Sequence, residues 1–261
     1  MIIFETIAVA FAMFSAIPCP QPVWNQKNMR YSLCAFPLVG AVCAVCIWIW
    51  VLVMNLTNSP ELLRAAGLCL IPVLVTGGIH LDGYADTSDA LASFAPPEKK
   101  REILQDSHCG AFAVIRLCGW FIAYFALCGS VEWNARALWC MGLGFMLERC
   151  LSGFAVATFP MAKNTGLAHT FAEAADKKRV RLFLAIASII LSVVMVAIGK
   201  VAGGAMVLTA GVILWRYYHV AKKQFGGITG DLAGWFLQRA ELGMLAALTA
   251  VQILEGMKWF L

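Results

Sequence analysis

The chain has 261 residues, of which 61% are hydrophobic and only 13% charged, against about 25% charged in an ordinary soluble domain, so a soluble fold could not hide its apolar surface. The long runs are continuous rather than alternating, which excludes a closed barrel. The net charge of +5 comes with no patch of interleaved bases and aromatics, which excludes nucleic acid as a partner. The expected fold class is all-α: a polytopic transmembrane helical bundle of about seven to eight transmembrane helices plus short interfacial helices, with residues 1–261 forming a single integral membrane domain.

Apolar runs between breakers predict eight helices, over 1–17, 33–56, 62–79, 111–130, 136–159, 182–199, 204–221 and 232–254. A crossing of about 30 Å of hydrocarbon needs roughly 17 to 25 such residues. The first run carries Glu5 and no Lys or Arg, unlike the basic start of a signal peptide, and it ends at Pro18, Pro20 and Pro22, which cannot continue a helix. It is expected to remain as a helix. With strict alternation, one side of the membrane receives 18–32, 80–110, 160–181 and 216–231. Those stretches hold 13 of the 20 Lys and Arg residues and the opposite connections hold four. The positive-inside rule makes the first side cytoplasmic and puts the N-terminus outside. Most of the ten cysteines lie inside apolar runs and are expected to pack as small hydrophobes, the C-x-x-C of Cys43 and Cys46 included.

Five aspartates, Asp82, Asp86, Asp89, Asp106 and Asp231, fall on the cytoplasmic side although they come from three connections. In TGGIHLDGYADTSDAL, residues 76–91, Asp82, Asp86 and Asp89 are spaced i, i+4, i+7. On a helix that puts them within about 40° of one stripe. Like charges on one stripe repel, and a divalent cation removes the conflict. Hard oxygen donors suit Mg²⁺ or Mn²⁺. A solvated acidic face is the alternative. His80 precedes the stripe, in the preceding turn if the helix begins near Gly83, as a ligand, a proton carrier or an interfacial histidine.

The next stretch, residues 96–112, offers Pro97 as a helix start and Ile103 and Leu104 as the apolar side of a short helix along the membrane surface. Lys99, Lys100 and Arg101 face anionic lipid. Asp106, Ser107 and Gly110 follow, where a turn of small residues can present backbone N–H groups to a phosphate. Arg149 is either half of a buried ion pair with Glu148 or a planar donor to a diphosphate. Lys163, Asn164 and Gly166 could extend an anion site. In FGGITGDLAGWFLQRAELG, Gly226, Gly227, Thr229 and Gly230 form a loop that can approach a phosphate ahead of a helix N-terminus. Asp231, Gly234, Gln238 and Glu241 then run along one side of that helix, as a stripe that must face protein or water.

Over these stretches the chain resembles the cobalamin synthase family, the adenosylcobinamide-GDP ribazoletransferases. The resemblance rests on Gly77, Gly78, His80, Leu81, Asp82, Gly83, Ala85, Asp86 and Asp89, then on Asp106, Ser107 and Gly110, and then on Gly226, Gly227, Thr229, Gly230, Asp231, Gly234 and Glu241. Ala90 stands where Gly is expected, His108 and Lys163 where Arg is common, and Gln238 where an acid is common. The resemblance implies a Mg²⁺-dependent transferase that joins adenosylcobinamide-GDP to α-ribazole or α-ribazole 5′-phosphate and releases GMP. It implies a bacterial inner (cytoplasmic) membrane location with the active site facing the cytoplasm. Its implied partners are the lipid bilayer and a second copy of the chain or other cobalamin-assembly enzymes. The implied catalytic residues are Asp82, Asp86, Asp89, His80, Asp106 and Asp231, with the first three holding metal. The expected substrate contacts, from the residues and the resemblance together, are Ser107, Arg149, Lys163, Gly226, Gly227, Thr229, Gly230, Gln238 and Glu241. A CDP-alcohol phosphotransferase is disfavoured, because Asp82, Gly83 and Ala85 give D-G-x-A in place of D-G-x-x-A. A transporter would place acids at mid-membrane depth or on both sides.

Overall fold

Every regular element in the computed structural model, which describes residues 2–106, 108–163 and 165–257, is helical. In chain order these are α1 (Ile2–Phe14), α2 (Gln26–Met29), α3 (Ser32–Leu56), α4 (Glu61–Thr76), α5 (Ile79–Ala92), α6 (Pro97–Ile103), α7 (Ala111–Ser130), α8 (Ala135–Thr158), α9 (Leu167–Ala174), α10 (Lys177–Gly199), α11 (Val201–Val220) and α12 (Gly230–Met257). A π-helical turn, Ala221–Phe225, extends α11. The all-α expectation is met.

Six helices, α3, α7, α8, α10, α11 with its π-turn, and α12, are long and apolar enough to cross a membrane. The pair α4 and α5 makes a seventh when taken as one span, bent by 93° at its break. The eighth expected crossing is lost. α1 has 13 residues, about 20 Å at 1.5 Å per residue, too short for the hydrocarbon. The alternation from residue 18 onward survives with seven crossings, but nothing places the N-terminus across the membrane from it.

α8 is the central helix. Its most apolar stretch is 78% buried, against 17% for α10 at the rim, where Leu182, Ile186, Ile189 and Val193 face outward. Small residues let the helices around α8 come close. The backbone of Phe145 and Met146 occupies the space that a side chain at Gly40 of α3 would need. The Cys43 side chain is fully buried and all ten cysteines are free thiols, as expected of small core hydrophobes.

The sharp bend after α4 has a local cause. Gly77 and Gly78 both have left-handed backbone, at φ +66° and +78°, which side chains resist. The Gly78 N–H closes on the Val73 carbonyl (3.0 Å), ending α4, while the Gly78 carbonyl accepts from Asp82 N–H (2.9 Å) and starts α5. α5 thus leaves the line of α4 and lays its aspartates across one end of the bundle. The surface helix α6 forms as expected, with Pro97 in its first turn. Arg101 Nη1 donates to the Phe225 carbonyl (3.0 Å), and Lys100 Nζ donates to Gln224 Oε1. Two of the three basic residues of α6 are therefore spent on the π-turn, while Lys99 pairs with Glu102 (2.7 Å).

Candidate active site

α5 packs along the first turns of α12, and two glycines make that crossing tight. A side chain at Gly83 would run into the Asp231 backbone, its Cβ only 2.7 Å from the carbonyl oxygen. A side chain at Gly234 would come within 2.9 Å of the His80 carbonyl. Backbone-to-backbone contact at both points brings Asp231 beside the acidic stripe. Asp86 lies within electrostatic reach of Asp82, Asp231 and Asp89. Asp82 is exposed, while Asp86, Asp89 and Asp231 are half-buried. Asp89 fills the space that a side chain at Gly110 would need, which draws the start of α7 to the same end.

The glycine-rich loop is held from the other side by residues 160–163. Ile228 N–H donates to the Pro160 carbonyl (2.8 Å) and Ala162 N–H to the Ile228 carbonyl (3.0 Å), a single parallel bridge between Met161 and Ile228. Gly227 is required there, because the Met161–Ala162 peptide occupies the place of any side chain. Thr229 caps α12, its Oγ1 accepting from Leu232 N–H (3.2 Å) and donating to Asp231 Oδ2 (3.3 Å). The bridge carries Lys163 to within electrostatic reach of Asp231.

Between these loops and the bundle lies a cavity of about 380 Å³, whose lining includes His80, Asp82, Lys163, Thr229, Gly230 and Asp231. Of the expected site residues, those six meet in one space. Gly226 and Gly227 are not among its lining residues, and Asp86 and Asp89 continue the stripe beyond its lining. α5 begins at Ile79, so His80 sits in the first turn of the helix rather than ahead of it, and it is buried at 5% exposure. Asp106 is exposed and turned to its own loop. The His108 N–H donates to it (2.9 Å) and the His108 ring nitrogen lies 2.6 Å away, which holds the Asp106 carboxyl below its usual range. Ser107 and Asn164 lie outside the described residues.

Arg149, Gln238 and Glu241 are buried deeper in the bundle and do not line the cavity. Arg149 Nη1 donates to Glu148 Oε1 (2.7 Å) and to the Phe145 carbonyl (2.8 Å). Its guanidinium sits over the Phe36 and Phe145 rings, 5.9 and 5.8 Å from their centroids. Glu241 lies within electrostatic reach of Arg149 and Tyr124. Gln238 passes its backbone carbonyl to the Trp120 indole N–H (3.1 Å). The buried ion pair, one of the two readings of Arg149, is what the geometry contains.

The donors at the rim are all hard oxygens, the chemistry that suits Mg²⁺. Among the described residues no three His, Cys, Asp or Glu side chains converge closely enough to cage a metal. An open arrangement of carboxylates matches an ion that keeps its waters and takes substrate phosphates as ligands. Sequence reasoning missed the apolar half of the cavity, Phe14, Phe36 and Phe171 among it. In apolar runs such residues carry no mark that separates cavity lining from packing.

A model of the cobalamin-5-phosphate synthase family matches residues 6–249. The adenosylcobinamide-GDP ribazoletransferase of Lachnoclostridium phytofermentans is 40% identical, over 97% of this chain and 95% of its own. That of Desulfitobacterium hafniense is 30% identical over 90% and 92%, and that of Clostridium botulinum strain Alaska E43 is 29% identical over 94% and 97%. No solved structure matches the chain. With a match running through both glycine motifs, the acidic stripe and nearly every helix between them, the chain belongs to the cobalamin-5-phosphate synthase family of transferases.

Proposed function

We propose that the chain transfers the adenosylcobinamide phosphoryl group of adenosylcobinamide-GDP to α-ribazole or α-ribazole 5′-phosphate, releasing GMP, at the cytoplasmic face of the bacterial inner membrane. The observation that carries this reading is the convergence of Asp82, Asp231 and Lys163 on one cavity, with Asp86 and Asp89 beside it. Carboxylates with one cation at the rim are the equipment of diphosphate chemistry. The names of the relatives supply the substrates. The excess of Lys and Arg on the stretches that build the rim supports the cytoplasmic placement.

In the reaction, a ribose hydroxyl oxygen forms a bond to the phosphorus on the corrinoid side of the diphosphate. The bond from that phosphorus to the bridging oxygen breaks, and GMP leaves with the electron pair. A rim carboxylate, Asp82 or Asp231, takes the hydroxyl proton. Lys163 meets a phosphate oxygen as a point charge, and the free N–H groups at the start of α12 favour the same anion. One or two carboxylates of the Asp82, Asp86 and Asp89 stripe, with waters and substrate phosphates as the other ligands, would hold Mg²⁺, or Mn²⁺ in its place, which when bound neutralises charge on the diphosphate and the leaving phosphate. Positioning comes from the two backbone contacts between α5 and α12, which hold acids from distant parts of the chain at fixed separation.

The test is GMP release by detergent-purified, lipid-restored protein given adenosylcobinamide-GDP, α-ribazole and Mg²⁺. Release that requires all three components is expected, with chelator abolishing it and Mg²⁺ restoring it. No GMP under these conditions overturns the reading.

A further inference from the structure

Away from the cavity, three arginines converge on another flank of α12. Arg239 lies within electrostatic reach of Arg216 and Arg116, and the charges within its reach include no carboxylate. Packing sets the three at nearly one level. A side chain at Gly243 would come within 2.6 Å of Ile213 Cδ1, and the Tyr217 and Phe236 rings stack with centroids 5.2 Å apart. α11 therefore runs antiparallel to α12, with Arg216 at the level of Arg239. On the other side, the Trp120 indole N–H reaches the Gln238 carbonyl (3.1 Å), one turn along α7 from Arg116. Every ion pair among the described residues lies elsewhere. Arg116 and Arg216 are exposed. Arg239 is half-buried, its guanidinium carbon 5.0 Å from the Trp235 ring centroid and its Nε buried without a hydrogen-bond partner. Like charges gathered on apolar helices repel, and a buried donor without a partner is costly. An anion removes both penalties.

We infer that Arg116, Arg216 and Arg239 bind the phosphate of an anionic phospholipid, which enters sideways from the leaflet on the side of the acidic rim. Position selects a lipid over a soluble anion. At about 1.5 Å per residue, Arg116 lies about 8 Å inside the start of α7 and Arg239 about 14 Å inside the start of α12, depths from which a long side chain reaches back to the head-group level. α7 and α11 each pack on α12, while any contact between the two is slight. The gap between them has Arg239 on its floor and Arg116 and Arg216 on its walls. Protein bridges its end toward the rim, since α5 packs on α7 and α12, and α6 packs on α5 and on the π-turn that ends α11. Its open side is apolar, with Phe112 and Ile115 of α7 and Leu208 and Val212 of α11 exposed beside the arginines. Acyl chains fit that side, whereas a hydrated phosphate does not. A head group of net negative charge is preferred, because a zwitterionic one brings a cation of its own back to the three arginines. None of the three lines the cavity, so the site stands apart from the reaction. A phosphate held there ties α7 and α11 to α12, the helix whose first turn carries Asp231.

The experiment titrates the detergent-purified full chain with phosphatidylglycerol or phosphatidylcholine and reads bound lipid by native mass spectrometry. The parent is expected to hold phosphatidylglycerol about tenfold more tightly than phosphatidylcholine, the size of a charge-assisted hydrogen bond. Arg116→Gln and Arg216→Gln, each at an exposed position, should weaken phosphatidylglycerol about tenfold and leave phosphatidylcholine within about twofold. The pair Lys177→Gln and Lys178→Gln, exposed at the start of α10, should change neither. Inorganic phosphate should leave the bound lipid in place. A second measurement is Tm, which for the parent should be higher in phosphatidylglycerol nanodiscs than in phosphatidylcholine nanodiscs, by a margin that shrinks in either arginine variant. Equal affinity of the parent for the two lipids overturns the proposal, and so does phosphatidylglycerol binding that both arginine variants leave unchanged. An equal loss in the lysine variant overturns it in favour of general surface charge. Displacement by phosphate overturns it in favour of a soluble anion, and a second copy of the chain held in place of lipid overturns it in favour of a protein partner.

Discussion

Glu148, Arg149 and Glu241 sit fully buried in the middle of the bundle with both signs of charge together, whereas Asp82, Asp86, Asp89 and Asp231 sit at its end, exposed or half-buried, with acids facing acids. In the first group one guanidinium meets the Glu148 carboxylate, a carbonyl and two ring faces, with Glu241 within electrostatic reach. The second has only Lys163 within described reach of Asp231. A buried group of mixed sign holds helices together. An unbalanced one at an opening is complete only with a cation or a polar substrate, and it is there that the glycine contacts and the cavity are found.

The widest gap between the two groups should appear in stability. Arg149→Leu leaves Glu148 buried without its partner, a loss of about 3–5 kcal/mol, read as failure to recover monodisperse protein or a large drop in Tm. Adding Glu148→Leu should recover much of the loss, since an apolar pair of similar volume replaces a buried ion pair at little penalty. No drop in Arg149→Leu would dissolve the contrast. At the rim the pattern should reverse. Asp82→Asn and Asp86→Asn are expected to lower GMP release by about 10²–10³-fold, the usual loss when a preorganised electrostatic group is removed, with Tm unchanged or higher because like charges are relieved. Undiminished turnover in both would remove the metal assignment while leaving the enzyme.

Gly83→Ala tests whether the rim depends on helix spacing. Its Cβ would sit 2.7 Å from the Asp231 carbonyl oxygen, so α5 and α12 must part. Overpacking of this kind costs about 1–3 kcal/mol, and turnover should fall further than Tm alone explains. The smallest effect belongs to Asp176 at the start of α10, whose carboxylate accepts from Arg179 N–H (3.2 Å) and pairs with Arg30 (2.9 Å). These contacts hold its carboxyl below the usual range. A depressed carboxyl contributes stability that is present above the ordinary carboxylate pKa and is lost as pH falls through the lower folded value. Asp176→Asn should therefore lower Tm slightly at pH 7 and not at strongly acidic pH. An equal shift at both would refute the linkage.

The acids and glycines of the rim were legible because they are out of place in an apolar chain: a charge in a membrane run must be explained, and a glycine pair before it marks a bend. The interfacial α6 was legible from Pro97 and its charged turn. Its basic residues were assigned to lipid, yet two of them bind the π-turn, a partner more than a hundred residues away that local spacing does not reveal. The length of α1 was misjudged since apolarity continues past Phe14 while the helix does not. The division of the expected substrate residues, with Lys163 at the cavity and Arg149, Gln238 and Glu241 in the interior, depends on which faces of α8 and α12 meet. Helices that are apolar nearly all round carry little periodic signal to decide that.

The parallel bridge between Met161 and Ile228 also bears on how the protein is made. Chains emerge from the ribosome N-terminal end first, at about 5–20 residues per second, so α5 with its acids is made well before the loop that completes the cavity. Until α12 has been synthesised and inserted, the α5 aspartates face neither Asp231 nor a closed wall. A nascent chain is thus a set of inserted helices without the assembled rim. Activity begins only with the last crossing, and any interruption of translation before it leaves a product that is inert rather than half-active.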